Sequence, residues 1–320
     1  MCYTARRRTE IVRCNKKVGD DMKNRKPRIL LLGNGINRAF NSDSWDDLLN
    51  SIDRRPDRYD ISGFHCPEAL KAILITEDNV DKALKIKKEA LGNLGTEKSE
   101  KQMRLLRRLL GLGFDEILTT NYSYELETAA LGASGVNERS LRRMQAHTDE
   151  VSRCESNFLL HTYNRVELGD GERRIWHIHG EARKPDSMIL GAYYYGNLLG
   201  KIIDLNKKRG NYYSLPRTDE PPKIRSWTDA FILGDVYILG FGFGFSETDM
   251  WWLLNRKKRE RGSVGKTYFY ELKPQSDINR AKLDLLKLMG VKIIYNTVEN
   301  NDWQEAYERA VADIERRVGK

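Results

Sequence analysis

Short apolar runs recur along this 320-residue chain, each stopped by glycine or a polar residue and most followed by helical spacing. Few architectures accept that pattern. Arg28 to Gly33, Asp115 to Thr119, Asp235 to Gly240, Lys266 to Glu271 and Val291 to Tyr295 have the length and aliphatic content of buried strands. Phe158 to Val166 and Arg173 to His179 alternate polar and apolar residues on either side of Gly169-Asp170-Gly171, the pattern of a hairpin. Strands alternating with helices make a parallel sheet covered on both faces. The expected fold is α/β, Rossmann-like and doubly wound: a mainly parallel six-stranded sheet with a helical insertion subdomain.

Helical spacing fills the stretch from Trp45 to about Gly111, where Leu105, Leu109 and Leu112 mark one amphipathic face. Tyr122 to about Leu131, Met188 to about Lys208 and Ser246 to about Arg259 read as helices, as do stretches near 276–289 and 301–317. Residues 1–27 read as a basic arm. Residues 28–320 read as one domain with helical insertions over about 45–112 and 186–232, since a single crossover does not need so many helices.

The four cysteines, Cys2, Cys14, Cys66 and Cys154, have neither the spacing of a zinc ribbon nor that of a disulfide framework, so a reducing cytoplasm is the expected location. No apolar run approaches the roughly 18 residues that span a bilayer, and the N-terminal stretch lacks the apolar centre of a signal peptide. The net charge of +9 is concentrated in the arm and in Arg256 to Arg261. Such runs attract nucleic-acid phosphates, or they form a solvated arm and the polar face of one helix. No nucleic-acid-binding motif accompanies them, so nucleic acid is not the favoured partner.

The candidate chemistry sits at strand exits, where open α/β sheets bind ligands. Gly33-Asn34-Gly35-Ile36-Asn37 allows a sharp turn or a close approach to a pyrophosphate. Asn121, in Thr119-Thr120-Asn121-Tyr122, is either a helix N-cap or a carboxamide facing a ribose or a water. His177 and His179, two apart on a strand, should share one face. They are core histidines, a metal pair completed by His161, or, for His179 beside Gly180, a catalytic base. The run Gly240-Phe241-Gly242-Phe243-Gly244-Phe245 is either a tight turn placing three phenylalanines in the core or a ligand loop. Ser246 and Asp249 fit a capping box. Glu271, closing the next strand, is either a ribose acceptor or a surface carboxylate.

Taken in order, these motifs resemble the sirtuin-like (SIR2) superfamily in its bacterial NAD-hydrolysing, antiphage-defence branch, from about Arg28 to about Tyr295. The resemblance implies NAD+ as substrate, with Asn121 and His179 catalytic. It implies that Gly33, Asn34, Gly35, Asn37, Ser123, Gly240, Phe241, Gly242, Asp249 and Glu271 line the dinucleotide. Two departures bear on activity. The four-cysteine zinc module of sirtuin deacylases is missing, since no cysteine follows Cys154; hydrolysis is therefore expected ahead of deacylation, without a metal. Ser123 stands where the family often has aspartate.

The expected reaction breaks the nicotinamide–ribose bond to give nicotinamide and ADP-ribose. The resemblance further implies a homo-oligomer and a trigger, either a helicase-like ATPase partner or a phage-derived component. Competing expectations are a non-catalytic NAD or ADP-ribose sensor, an NAD-dependent deacylase or ADP-ribosyltransferase and, less closely, a dehydrogenase.

Overall fold

The structure, a computed structural model, describes residues 25–40, 99–132, 136–150, 158–210, 212–213, 223–260 and 264–319. The arm up to residue 24, and most of the insertion expected over 45–112, lie outside the described residues.

Among the described residues one eight-stranded sheet organises the fold. Its strands are β1 (Arg28–Leu32), β2 (Glu116–Thr119), β3 (Gln145–His147), β4 (Thr162–Leu168), β5 (Gly171–His177), β6 (Asp235–Leu239), β7 (Thr267–Lys273) and β8 (Val291–Thr297), in the spatial order β3-β4-β5-β2-β1-β6-β7-β8. The run from β5 to β8 is parallel throughout, while β3 and β4 pair antiparallel at one edge. The parallel body therefore matches the expected six strands. The two added strands correct that count: β4 belongs to the anticipated hairpin, and β3, three residues long, is too short to show a period in sequence.

The described helices are α1 (Gly35–Arg38), α2 (Glu100–Leu110), α3 (Glu125–Leu131), α4 (Glu138–Met144), α5 (Ala192–Arg209), α6 (Trp227–Leu233), α7 (Thr248–Arg259), α8 (Arg280–Leu288) and α9 (Trp303–Val318). Alternation along β1 splits the core. Leu30 and Leu32 pack with Leu106 of α2, Leu126 of α3 and Ala310 and Ile314 of α9. Ile29 and Leu31 pack with Ile202 of α5, Phe231 of α6, Leu253 of α7 and Leu286 of α8. Each large side chain so buried stabilises by roughly 1.5–3 kcal/mol. In α9 the four-residue spacing of Ala306, Ala310 and Ile314 makes one apolar stripe, and Asp302 caps the helix by accepting from the Glu305 N–H.

Buried polar groups tie the layers together. Arg209, at the end of α5, forks onto Asp229 of α6 (3.0 and 2.9 Å), which also accepts from the Tyr213 hydroxyl (2.8 Å). Lys257 is 5% exposed and donates to the carbonyls of Phe231 (2.9 Å) and Gly234 (2.7 Å) at the end of α6. Its burial pulls its pKa down to about 7. Elsewhere in the basic run, Arg256 pairs with Glu260, and the exposed Lys258 donates to the Leu288 carbonyl. Arg25, at the end of the arm, forks onto Asp115 (2.6 and 2.8 Å). Among the described residues no helix is long and apolar enough to cross a membrane.

Candidate active site

The chain passes from β1 to β2, goes out to β3 at the edge and back through β4 to β5, then crosses to the other side of β1 as β6. A reversal of this kind opens a crevice at the carboxyl ends of the two strands, and here the glycine exits meet in it. The Gly33 N–H donates to the Leu239 carbonyl (3.0 Å) and the Gly35 N–H to the Gly240 carbonyl (2.7 Å). A Cβ at Gly33 would lie 2.5 Å from the Gly240 oxygen, and one at Gly35 2.8 Å from the same atom and 2.4 Å from the Tyr307 hydroxyl oxygen. These glycines are thus required by the close passage of two backbones. Gly242 differs, having open space where a Cβ would stand. Asn34 and Asn37 bond each other (3.0 Å), and the Asn37 carboxamide oxygen accepts from Gln102 of α2 (2.8 Å).

At the β2 exit, Asn121 is not an N-cap. α3 begins at Glu125, three residues later than expected from Tyr122, with Tyr124 at the cap position. The intervening turn is held from outside: the Ala182 N–H takes the Tyr122 carbonyl (2.8 Å), and the Tyr122 hydroxyl donates to the Ile189 carbonyl (2.8 Å). The Asn121 backbone N–H donates to Thr119 Oγ1 (3.1 Å), while its buried side-chain Oδ1 has no hydrogen-bond partner among the described residues. Ser123 Oγ donates to Glu125 Oε2 (2.6 Å), so a carboxylate stands beside the serine.

β5 ends at His177, and the alternation expected to align the two histidines ends with it. The Gly180 N–H turns back onto the His177 carbonyl (3.1 Å), with Gly180 at φ 98°. The two rings consequently point to different layers. His177 meets Glu127 of α3 (2.9 Å), whereas Nε2 of His179 meets Asp249 Oδ2 of α7 (2.9 Å), with the ring edge-on to Tyr195 of α5 at 5.4 Å. The space beside Gly180 is filled by the Ser187–Met188 backbone rather than left for a ligand. The three-histidine metal alternative is not assembled: His161 Nδ1 lies 2.7 Å from the Arg225 carbonyl, and among the described residues no group of His, Cys, Asp and Glu is arranged to hold a metal.

The anticipated capping box at 246–249 does not form. Thr248 opens α7, and Glu247 accepts from the Gly244 N–H (2.7 Å), freeing Asp249 to face His179. A carboxylate oxygen can only accept, so Nε2 is the ring nitrogen of His179 that donates to Asp249. The second oxygen of Asp249, fully buried, has no partner among the described residues. Phe241 and Phe243 enter the core, but Phe245 is 62% exposed and stacks on Trp251, so two rather than three phenylalanines are buried.

Ile238 of β6 is level with Phe269 of β7, so Gly240 and Glu271 follow side by side. Glu271 is buried. Its Oε2 lies 3.6 Å from Lys282 of α8, which also donates to the Gly242 carbonyl (3.1 Å), and its Oε1 has no partner among the described residues. With neighbouring strands about 4.8 Å apart, the exits of β5, β2, β1, β6 and β7 form a row about 19 Å long. The structure thus joins His179 to Asp249, Gly33 and Gly35 to Gly240, and Glu271 to Gly242 through Lys282. The sequence reading missed Glu127, Asn164 and Lys282. None lies in a motif, and their partners are set by the packing of the sheet.

No curated protein sequence matches the chain. A structure solved in work on the mechanism and regulation of Sir2 enzymes aligns over 95% of this chain and 98% of its own, at 12% identity and a TM-score of 0.36, too distant to carry an argument. The SIR2-like domain matches residues 115–294, more than half of the chain, spanning the exits of β2, β5, β6 and β7. The protein therefore belongs to the SIR2-like domain family, within a superfamily of NAD-dependent enzymes.

Proposed function

We propose that the protein is an NAD+ glycohydrolase that releases nicotinamide and ADP-ribose. The observation carrying this reading is the His179–Asp249 pair at 2.9 Å, one strand exit away from the unpartnered carboxamide oxygen of Asn121. Cleaving a nicotinamide–ribose bond requires no general acid, because the cationic leaving group departs neutral. It requires stabilisation of an oxocarbenium-like ribose and a water delivered to the anomeric carbon. Asn121 orients that water or a ribose hydroxyl. His179 Nδ1 accepts the proton, and Asp249 fixes the tautomer and stabilises the imidazolium that results. General-base assistance of this kind contributes roughly 10²–10⁴-fold.

The remaining residues suit the rest of the dinucleotide. Beside the packed Gly33–Gly240 contact, the open face of Gly242 allows the pyrophosphate a close backbone approach. The unpaired Glu271 oxygen is an acceptor for the adenosine ribose hydroxyls. Glu125, bonded to Ser123, supplies the negative charge that serine lacks, which favours turnover over a silent sensor. In biological terms the reading extends to NAD+ depletion in antiphage defence, by a homo-oligomer or together with a partner ATPase.

The test is NAD+ consumption by the purified protein, alone and with candidate triggers, beside His179→Ala and Asn121→Ala. Both variants are expected to fold and to lose turnover, and a chelator is expected to leave wild-type turnover unchanged. A His179→Ala protein that consumed NAD+ at the wild-type rate would falsify the assignment.

A further inference from the structure

We propose that His177 is a positioning residue, clamped between Glu127 and the backbone carbonyl of Asn121 so that it fixes the peptide carrying the Asn121 carboxamide. The inference rests on the hydrolase reading and extends it to a side chain that faces away from His179. His177 Nδ1 lies 2.7 Å from the Asn121 carbonyl oxygen and Nε2 lies 2.9 Å from Glu127 Oε1. Both partners are acceptors, so both ring nitrogens must carry hydrogen. The ring is an imidazolium, its pKa raised to about 9 by the carboxylate despite its burial, and Glu127 is held below the usual carboxylate range by the same pairing. Asn164 of β4 donates to the same Glu127 oxygen (2.9 Å), and the Tyr124 ring stands edge-on to His177 at 5.3 Å. The clamp thus joins α3, β4 and β5 to the turn after β2.

Stability alone is a poor reason for this arrangement. His177 is 3% exposed and Glu127 fully buried, and apolar pairs of similar volume commonly stabilise as well as a buried ion pair or better. What the ion pair supplies is direction. A charged donor aimed at one carbonyl holds the 120–122 turn where the loss of α3's first turn has left its backbone without helical bonds.

Two double variants separate positioning from packing, each including Glu127→Gln so that no lone charge is buried. In His177→Asn the carboxamide nitrogen stands near the former Nδ1 and can still donate to the Asn121 carbonyl. In His177→Gln it stands near the former Nε2 and reaches only position 127. We expect the His177→Asn double to keep kcat for NAD+ within about tenfold of Glu127→Gln alone. The His177→Gln double is expected to lose about a hundredfold in kcat, the cost of displacing a reacting group by an ångström, with KM little changed. Equal kcat values in the two doubles, with Asn121→Ala inactive, overturn the positioning role and leave the hydrolase reading standing. An Asn121→Ala protein with wild-type turnover sinks the hydrolase reading instead. The clamp is then read without turnover, from ring ¹⁵N shifts: both His177 nitrogens are expected to be protonated at pH 7.5, and one bare nitrogen overturns it.

Discussion

Gly33→Ala tests whether the β1 and β6 exits touch as described. The added methyl would lie 2.5 Å from the Gly240 oxygen and 2.5 Å from Phe241 Cα, and relief begins only near 3.4 Å. Both obstacles are backbone, so the two strand ends must part by most of an ångström. That movement breaks the 2.7 Å bond from the Gly35 N–H to the Gly240 carbonyl. Overpacking costs about 1–3 kcal/mol and the hydrogen bond about 1 kcal/mol, for a sum of roughly 2–4 kcal/mol. At roughly 2–4 °C per kcal/mol for a large domain, Tm should fall by roughly 4–16 °C in a thermal melt followed by circular dichroism. Gly242→Ala is the control. Its Cβ meets nothing within 4 Å, so its stability should stay within about 0.5 kcal/mol of wild type. If Gly242 faces the dinucleotide, KM for NAD+ rises without loss of Tm. A Gly33→Ala protein that melts with the wild type refutes the packed crevice, and a Gly242→Ala protein with unchanged KM removes that residue from the binding surface.

Two further perturbations probe the chemistry and the core. Asp249→Asn lets a carboxamide nitrogen donate to His179 Nε2 and moves the ring proton to Nδ1. NAD+ turnover should fall by roughly 10²–10⁴-fold with little change in Tm, and a turnover assay showing the wild-type rate would remove Asp249 from its orienting role. Lys257 has a folded pKa of about 7 against 10.5 when free, so between those values the unfolded chain holds the extra proton and stability rises with pH. The gain reaches at most about 1.4 kcal/mol per pH unit. His177 runs the opposite way: the stability it confers is complete below pH 6.5 and is lost as pH rises through about 9. Urea unfolding of wild type and Lys257→Met at pH 7 and pH 9 isolates the lysine, because His177 is common to both. The difference in stability should shift toward the wild type at the higher pH, and a constant difference would refute the buried-lysine assignment.

The parallel body of the sheet was legible because both faces of its strands are buried, which leaves unbroken aliphatic runs such as Ile29 to Leu32. The hairpin was legible from Gly169-Asp170-Gly171, but β3 was not, since three residues carry no period. At the site, the sequence singled out His179, Asn121 and Asp249, but the capping role it offered Asp249 does not form. Ser246 and Asp249 have capping-box spacing, yet the helix starts at Thr248 and its capping position falls to Glu247. Likewise, two-residue spacing aligns histidines only while a strand lasts, and β5 stops at His177. Glu127 was illegible because its partners, His177 and Asn164, are 50 and 37 residues away in sequence.

The glycine crevice is drawn together from distant parts of the chain: β1 lies at its centre, yet the strand completing it, β6, is made more than 200 residues later. A nascent chain that has emerged only as far as His179 has neither the second wall nor Asp249, the carboxylate that sets the imidazole. Under the proposed hydrolase reading, the chain would thus be harmless on the ribosome, acquiring its chemistry only after residue 249 has been translated.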